Sequence, residues 1–182
     1  MKTSLKWTIE EYHRLIDLNF FRDRRVELLE GEIIEMPPEG LFHAFLTEGT
    51  VEYLRALLSS LALVREAHPI SLADSEPEPD IAVVKLPRDR YRSRHPHPED
   101  ILWLVEISRT TLDLDLNEKK QAYARSNILE YWVVNVKAKQ LHVFREPSSG
   151  SYTTEFILTE RSIEPLAFPD ISVAIERVWQ LH

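Results

Sequence analysis

The chain has 182 residues, of which 43% are apolar and 29% are charged, values typical of a soluble globular protein. This length suffices for one domain with a sizeable core, and we expect residues 1–182 to form it. The 22 Lys and Arg residues against 30 Asp and Glu give a net charge of −8, which argues against a general nucleic-acid binder but leaves room for a local basic patch.

The chain contains no cysteine, which excludes disulfides and cysteine-bound zinc and makes a reducing cytoplasm the expected compartment. The N-terminus lacks the pattern of a secretory signal. No apolar run approaches the ~20 residues that a membrane-spanning helix needs. We therefore expect a cytoplasmic protein without a membrane partner.

The first third of the chain predicts two helices around a β-hairpin. Thr8 and Glu11 have the spacing of a capping box, so a helix is expected over residues 8–20. Residues 26–36 predict a hairpin. The helical spacing of apolar residues over 41–58 predicts the second helix.

The rest of the chain predicts a mixed β-sheet between helices, that is, an α/β or α+β fold. The runs ILWLVEIS (101–108) and EYWVVNV (130–136) are apolar almost throughout, as strands covered on both faces tend to be. The remaining predicted elements are strands at 61–66, 80–85, 141–146 and 152–158, and helices at 115–126 and 171–179.

Glu106 is the first candidate site residue, because it ends a strand that is otherwise apolar. An ionised carboxylate without a partner is very costly in a dry interior. Glu106 therefore needs a cationic side chain, a proton or a metal ion. A structural ion pair and a metal site both satisfy this need.

Asp80 and Lys119 favour the metal site. Asp80 begins a strand and can share a divalent cation with Glu106, since Mg²⁺ is typically held by one or two carboxylates. A helical wheel places Lys119 on the apolar stripe of its helix and Lys120 on the flank. A metal ion with an inward lysine suits phosphodiester hydrolysis, in which the lysine orients water and stabilises charge. A Lys119–Glu106 salt bridge without metal remains the alternative.

The chain contains its own control for the Pro-Asp dipeptide. PDIAVV at 79–84 is nearly repeated by PDISVA at 169–174, where Asp170 is expected to cap the last helix. The Pro-Asp dipeptide alone therefore does not indicate a site. It indicates one at 79–80 because a buried strand follows it and Glu106 comes later in the chain.

Several segments together resemble a known family. They are PD (79–80), LVEIS (104–108), TTLDLDLNEK (110–119), YARSNILEYWVVN (123–135) and VELLEGEI (26–33). This set resembles the Uma-type endonucleases of the restriction-endonuclease-like PD-(D/E)XK superfamily. The resemblance implies a restriction-endonuclease-like core, Mg²⁺ or Mn²⁺ as cofactor, cleavage of DNA and, by analogy, a homodimer.

The resemblance also implies roles for individual residues. Asp80 and Glu106 would be metal ligands, with the backbone carbonyl of Ile107 as a further ligand. The superfamily motif would put its lysine at Ser108. The resemblance implies that the family places this lysine on the next helix, where Lys119 matches.

Three further residues are accessory candidates. Glu27 is either a site acid or merely a hairpin residue. His43 faces inward on the wheel and is either a core or capping histidine or a ligand. Asp115 lies beside Lys119 on the same wheel.

Residues 85–98 form a basic segment that offers contacts to nucleic-acid phosphates. Tyr91 in this segment can stack on a base. A solvated surface loop is the alternative interpretation. The basic residues are Lys85, Arg88, Arg90, Arg92 and Arg94, opposed by Asp89.

The sequence thus predicts a metal-dependent endonuclease with Asp80, Glu106 and Lys119 as catalytic residues. The alternative is a non-catalytic interaction or nucleic-acid-binding module on the same fold, with Glu106 and Lys119 as a structural ion pair. A two-carboxylate glycosidase is a weaker third interpretation, because it gives the inward lysine no role.

Overall fold

A computed structural model describes residues 4–179 of the chain. The helices are α1 (Ile9–Asp17), α2 (Leu41–Leu58), α3 (Leu112–Leu114), α4 (Lys120–Arg125) and α5 (Glu176–Trp179), with a π-helical turn (Asp115–Lys119) between α3 and α4. The strands are β1 (Val26–Leu29), β2 (Glu32–Glu35), β3 (Leu63–Glu66), β4 (Ile81–Val84), β5 (Ile101–Ser108), β6 (Glu130–Asn135), β7 (Gln140–Ser148), β8 (Ser151–Leu158), β9 (Ser162–Ile163) and β10 (Val173–Ala174). Short 3₁₀ helices occupy Arg88–Tyr91 and Pro98–Asp100.

A six-stranded mixed sheet in the order β3-β4-β5-β6-β7-β8 forms the centre of the fold. The β5–β6 pair is parallel, and the other four pairs are antiparallel. Parallel neighbours need a crossover connection, which α3, the π-helical turn and α4 supply. The predicted mixed sheet flanked by helices is therefore confirmed.

Two apolar clusters cover the two faces of this sheet. Trp103, Val105 and Ile107 of β5 belong to the cluster that includes α2 and α5, whereas Leu104 belongs to the cluster that includes α4. Side chains alternate between faces along a strand. Glu106 therefore points to the same face as Leu104, toward the helix that follows β5.

Local signals in the first half of the chain are also confirmed. Thr8 and Glu11 form the predicted capping box of α1, which ends at Asp17 and is thus shorter than predicted. The β1–β2 hairpin turns at Gly31, whose φ of +73° suits glycine. A bridge between Leu28 of β1 and Glu76 ties the hairpin to the segment before β4.

The prediction for the C-terminal segment was wrong. Residues 171–179 were expected to form one helix capped by Asp170, but β10 pairs with β9 and α5 begins only at Glu176. β-Branched residues alternate at Ile171, Val173 and Ile175, which favours an extended backbone over a helix. None of the helices within residues 4–179 is long and apolar enough to cross a bilayer.

Candidate active site

A cleft of about 350 Å³ opens at the end of the sheet where β5 ends and β4 begins. It brings together residues from the β1–β2 hairpin, α2, the segment just before β4, β5 and the π-helical turn. The three predicted catalytic residues, Asp80, Glu106 and Lys119, line it, and so do the three accessory candidates, Glu27, His43 and Asp115. These six side chains are called the acidic floor below.

Antiparallel pairing of β4 and β5 places Asp80 beside Glu106. Ile81 lies opposite Val105, so Asp80 is level with the carboxylate end of β5. The Asp80 N–H donates to Glu106 Oε2 at 3.3 Å, and the Ile107 N–H donates to Asp80 Oδ2 at 2.6 Å. The backbone of each strand thus fixes the carboxylate of the other.

Lys119 points inward, as predicted, and is 1% exposed. Its Nζ lies 2.9 Å from Glu106 Oε1 and 3.5 Å from Glu27 Oε1. Lys120 lies on the flank and pairs with Glu155. The π-helical turn ends at Lys119, and such turns often occur at functional sites.

Tyr123 is a site residue that the sequence analysis did not single out. Its hydroxyl is buried and donates to Glu106 Oε1 at 3.0 Å. Lys119 and Tyr123 therefore both bind Oε1, which turns Glu106 Oε2 toward Asp80. Tyr123 could have been identified from the sequence, because it lies four residues after Lys119 on the same stripe of the helix.

His43 contacts Asp80 directly. Its Nε2 lies 3.1 Å from Asp80 Oδ2, and its Nδ1 lies 2.9 Å from Glu39 Oε1. The hydrogen bond with Asp80 outweighs the effect of burial and, with Glu39 adding to it, raises the pKa of His43 to about 9. In this arrangement His43 is a cation at neutral pH.

Glu27 and Asp115 complete the acidic floor. Glu27 is fully buried, and its Oε2 accepts the Glu78 N–H at 3.2 Å. Its Oε1 has no hydrogen-bond partner among residues 4–179, although Lys119 lies at ion-pair distance. Asp115 Oδ2 accepts a hydrogen bond from Thr111 at 2.7 Å.

The acidic floor carries an excess of negative charge. Four carboxylates face the cations Lys119 and His43, which leaves two negative charges unbalanced when all groups are ionised. Burial raises the pKa of Glu106 well above its usual range; Lys119 opposes this, and Asp80 adds to it. Desolvation lowers the pKa of Lys119, but Glu106 and the other carboxylates outweigh it, so Lys119 stays protonated. A divalent cation would balance this site.

The sequence profile of the Uma2 family, described as "Putative restriction endonuclease", matches residues 9–176. The chain belongs to the Uma2 family. Its fold is similar to that of a crystal structure described as "a putative nuclease belonging to DUF820 from Anabaena variabilis ATCC 29413", with a TM-score of 0.73 and 15% identity over 94% of this chain and 97% of that one. No curated protein matches the chain. The predicted resemblance is confirmed, and Uma2 membership supports a nuclease role.

The donor atoms of this Uma2 chain fit a divalent metal ion held by few protein ligands. No group of three or more His, Asp or Glu side chains within the described range 4–179 has the arrangement of a metal site. Asp80 Oδ1 accepts no hydrogen bond from those residues, and Glu106 Oε2 accepts only the 3.3 Å bond. Mg²⁺ commonly uses one or two carboxylates, with water and phosphate oxygens completing its shell. The two carboxylates therefore fit such an ion.

The basic segment of this Uma2 chain lies away from the cleft. Lys85 follows β4 at the end opposite Asp80, about 17 Å away at the rise of a strand. Arg90 and Arg94 bind the buried Asp100 at 2.9 and 2.6 Å. Two of the five proposed DNA contacts, Arg90 and Arg94, thus hold the segment together. The other three, Lys85, Arg88 and Arg92, are exposed.

Proposed function

We propose that the protein is a divalent-metal-dependent endonuclease that hydrolyses phosphodiester bonds in DNA. The observation that carries the proposal is the meeting of Asp80 and Glu106 in a cleft beside the buried Lys119. Each carboxylate has one oxygen fixed by strong donors and one oxygen open to a further ligand. A phosphodiester is the substrate that makes use of both the metal ligands and the lysine.

Asp80, Glu106 and the carbonyl of Ile107 would hold Mg²⁺ or Mn²⁺. When bound, such an ion polarises a phosphate and lowers the pKa of a coordinated water. Lys119 is protonated, so it acts as a hydrogen-bond donor and a fixed positive charge toward the attacking water and the reacting phosphate. His43 holds the carboxylate of Asp80 in place by its hydrogen bond.

The alternative is a non-catalytic module in which Glu106 and Lys119 are only a structural pair. The burial of both side chains and their 2.9 Å contact favour it. A structural pair needs one acid for one lysine, whereas the acidic floor has four acids for the two cations Lys119 and His43. The excess of acids is therefore the reason to prefer a metal site.

The remaining features of the proposal follow from the family and the sequence. We propose Mg²⁺ or Mn²⁺ as the ion, a homodimer as the working unit and the cytoplasm as the location. The exposed cations of the segment 85–98 would contact DNA phosphates distant from the cleft.

A plasmid cleavage assay tests the proposal. Supercoiled plasmid is incubated with the protein in Mg²⁺, Mn²⁺ or EDTA, and nicked and linear products are measured on a gel. We expect products with metal only, loss of products in Asp80→Asn, and wild-type products in Asp170→Asn. Asp170 is the matched control, because it follows a proline in the near repeat and is exposed. Absence of cleavage in both metals, or equal cleavage by Asp80→Asn, would overturn the proposal.

A further inference from the structure

Two basic residues follow the ends of the neighbouring strands β5 and β6, beside the acidic floor. β5 and β6 are parallel neighbours in which Ser108 lies opposite Asn135, and the Val136 N–H donates to the Ser108 carbonyl at 3.1 Å. Arg109 and Lys137, the residues that follow, therefore emerge at the same edge of the sheet. Both are exposed and both line the cleft.

Among the residues that the structure describes, neither Arg109 nor Lys137 forms an ion pair with a carboxylate. The other lysine and arginine side chains that line the cleft, Arg25 and Lys119, each pair with a glutamate. Two free cations beside an acidic cleft are thus available to an anion from outside.

Arg109 is also held in a suitable orientation. Its guanidinium lies 5.5 Å from the ring centroid of Phe42. Phe42 precedes His43, which contacts Asp80, so the stacked guanidinium is on the α2 side of the cleft. A guanidinium on an aromatic face keeps the N–H groups at its edge free to bind phosphate.

We propose that Arg109 and Lys137 form a phosphate-binding subsite for the backbone of duplex DNA, next to the phosphate that is cleaved. The inference rests on the proposed function, because it takes the acidic floor as the site of the reacting phosphate. Arginine binds phosphate through paired N–H groups, and lysine binds it as a point charge. These two residues, close to the chemistry, position the DNA, whereas the segment 85–98 contacts it farther away.

Fluorescence anisotropy with a fluorescein-labelled 20-base-pair duplex tests this subsite. The duplex is titrated in EDTA, which prevents metal-dependent cleavage, at NaCl concentrations from 50 to 200 mM. The double variant Arg109→Gln/Lys137→Gln is compared with Lys139→Gln/Arg161→Gln. The control pair is exposed, lies outside the cleft and removes the same two charges.

We expect the Arg109/Lys137 variant to bind about ten-fold more weakly at 50 mM NaCl, and the salt slope of log K to fall by about two. The control variant should stay close to the wild type. Duplex binding by the Arg109/Lys137 variant that equals the control would overturn the subsite. A wild-type protein that binds only a 20-nucleotide single strand would overturn the duplex assignment.

The subsite and the nuclease proposal fail separately. Wild-type protein without metal-dependent stabilisation or cleavage, but with duplex binding that requires Arg109 and Lys137, would refute the nuclease and leave these two residues as a phosphate-binding site without cleavage. Cleavage by wild-type protein, together with unchanged binding by the double variant, would refute the subsite alone.

Discussion

Lys119 Nζ lies 2.9 Å from Glu106 Oε1, and both side chains are almost completely buried. The pair joins the end of β5 to the π-helical turn that follows it. Breaking a buried ion pair by removing one partner is strongly destabilising, because the other charge is left without compensation. The contact explains how a carboxylate is tolerated inside the sheet, and it keeps one oxygen of Glu106 turned toward Asp80.

Lys119→Met should abolish cleavage and lower the free energy of unfolding at neutral pH by about 3–5 kcal/mol. The substitution keeps much of the side-chain length but removes the cation from Glu106 and Glu27. Lys119 lowers the pKa of Glu106, so without it the pKa of Glu106 in the folded state should rise further, and the folded protein then binds more protons than the unfolded chain. The loss of stability should therefore grow as pH rises above about 4.3, the ordinary pKa of glutamate. Urea unfolding from pH 5 to 8 measures this.

Lys120→Met is the matched control for this substitution. Lys120 is on the flank of the helix, and its partner Glu155 is exposed, so the loss should be about 0–1 kcal/mol. Equal losses of unfolding free energy in the two variants would contradict the claim that the buried pair of Lys119 and Glu106 stabilises the fold.

Tyr123→Phe should weaken metal binding while the fold is retained. In the wild type the ring centroids of Tyr123 and Tyr131 lie 4.9 Å apart, edge to face, and a phenylalanine ring keeps this contact. The hydroxyl that donates to Glu106 Oε1 is lost. Glu106 then loses one of the two donors to its Oε1 atom. Loss of such a supporting contact typically costs 10–100-fold in metal affinity, that is, about ten-fold or more here. The shift of the melting temperature is titrated with Mn²⁺ to measure the affinity. Equal affinities would mean that Tyr123 only fills space.

Asp100→Asn should destabilise the protein at neutral pH and have a much smaller effect near pH 2. Burial raises the pKa of Asp100, but hydrogen bonds from Arg94, the His97 N–H and Arg90 outweigh it and lower the pKa to about 2. The unfolded chain therefore takes up this proton first as pH falls. The stabilisation is complete above about pH 4 and is lost as pH falls toward 2.

At pH 7 the free energy of unfolding of Asp100→Asn should be about 1–2 kcal/mol lower than that of the wild type. The difference is modest because Arg90 and Arg94 are partly exposed and their charges are screened. Urea unfolding of both proteins at pH 7, 4 and 2.5 measures it. A difference that stays constant over this range would show that the ion pairs do not stabilise the segment 85–98.

The sequence predicted the parts of the site that depend on local periodicity. Glu106 was found because a carboxylate interrupts an apolar strand, and Lys119 because it falls on the apolar stripe of a helix. The contact of His43 with Asp80 was not predicted, because it depends on how α2 packs against the sheet. The same holds for Glu27, whose distance from Lys119 is set by the docking of the β1–β2 hairpin.

The sequence was misleading where two periodicities overlap. The apolar positions of residues 171–179 suit both a helix and a short strand. Pairing with β9 makes Val173–Ala174 a strand, which delays the helix to Glu176. The segment 85–98 was predicted to contact nucleic acid from its basic composition alone. Its ion pairs with Asp100 and its distance from the cleft appear only in three dimensions.

Thermal unfolding with EDTA, Mg²⁺ and Mn²⁺ tests the central claim most directly, on wild-type protein, Glu106→Gln, Asp80→Asn and the control Asp170→Asn. A ligand that binds the folded state stabilises it by mass action. At a metal concentration ten times the dissociation constant, the wild-type melting temperature should rise by about 3–6 °C. Asp170→Asn should keep this rise, and the other two variants should lose it. No rise in the wild type, together with a strongly destabilised Glu106→Gln, would make Glu106 and Lys119 a structural pair and contradict the account.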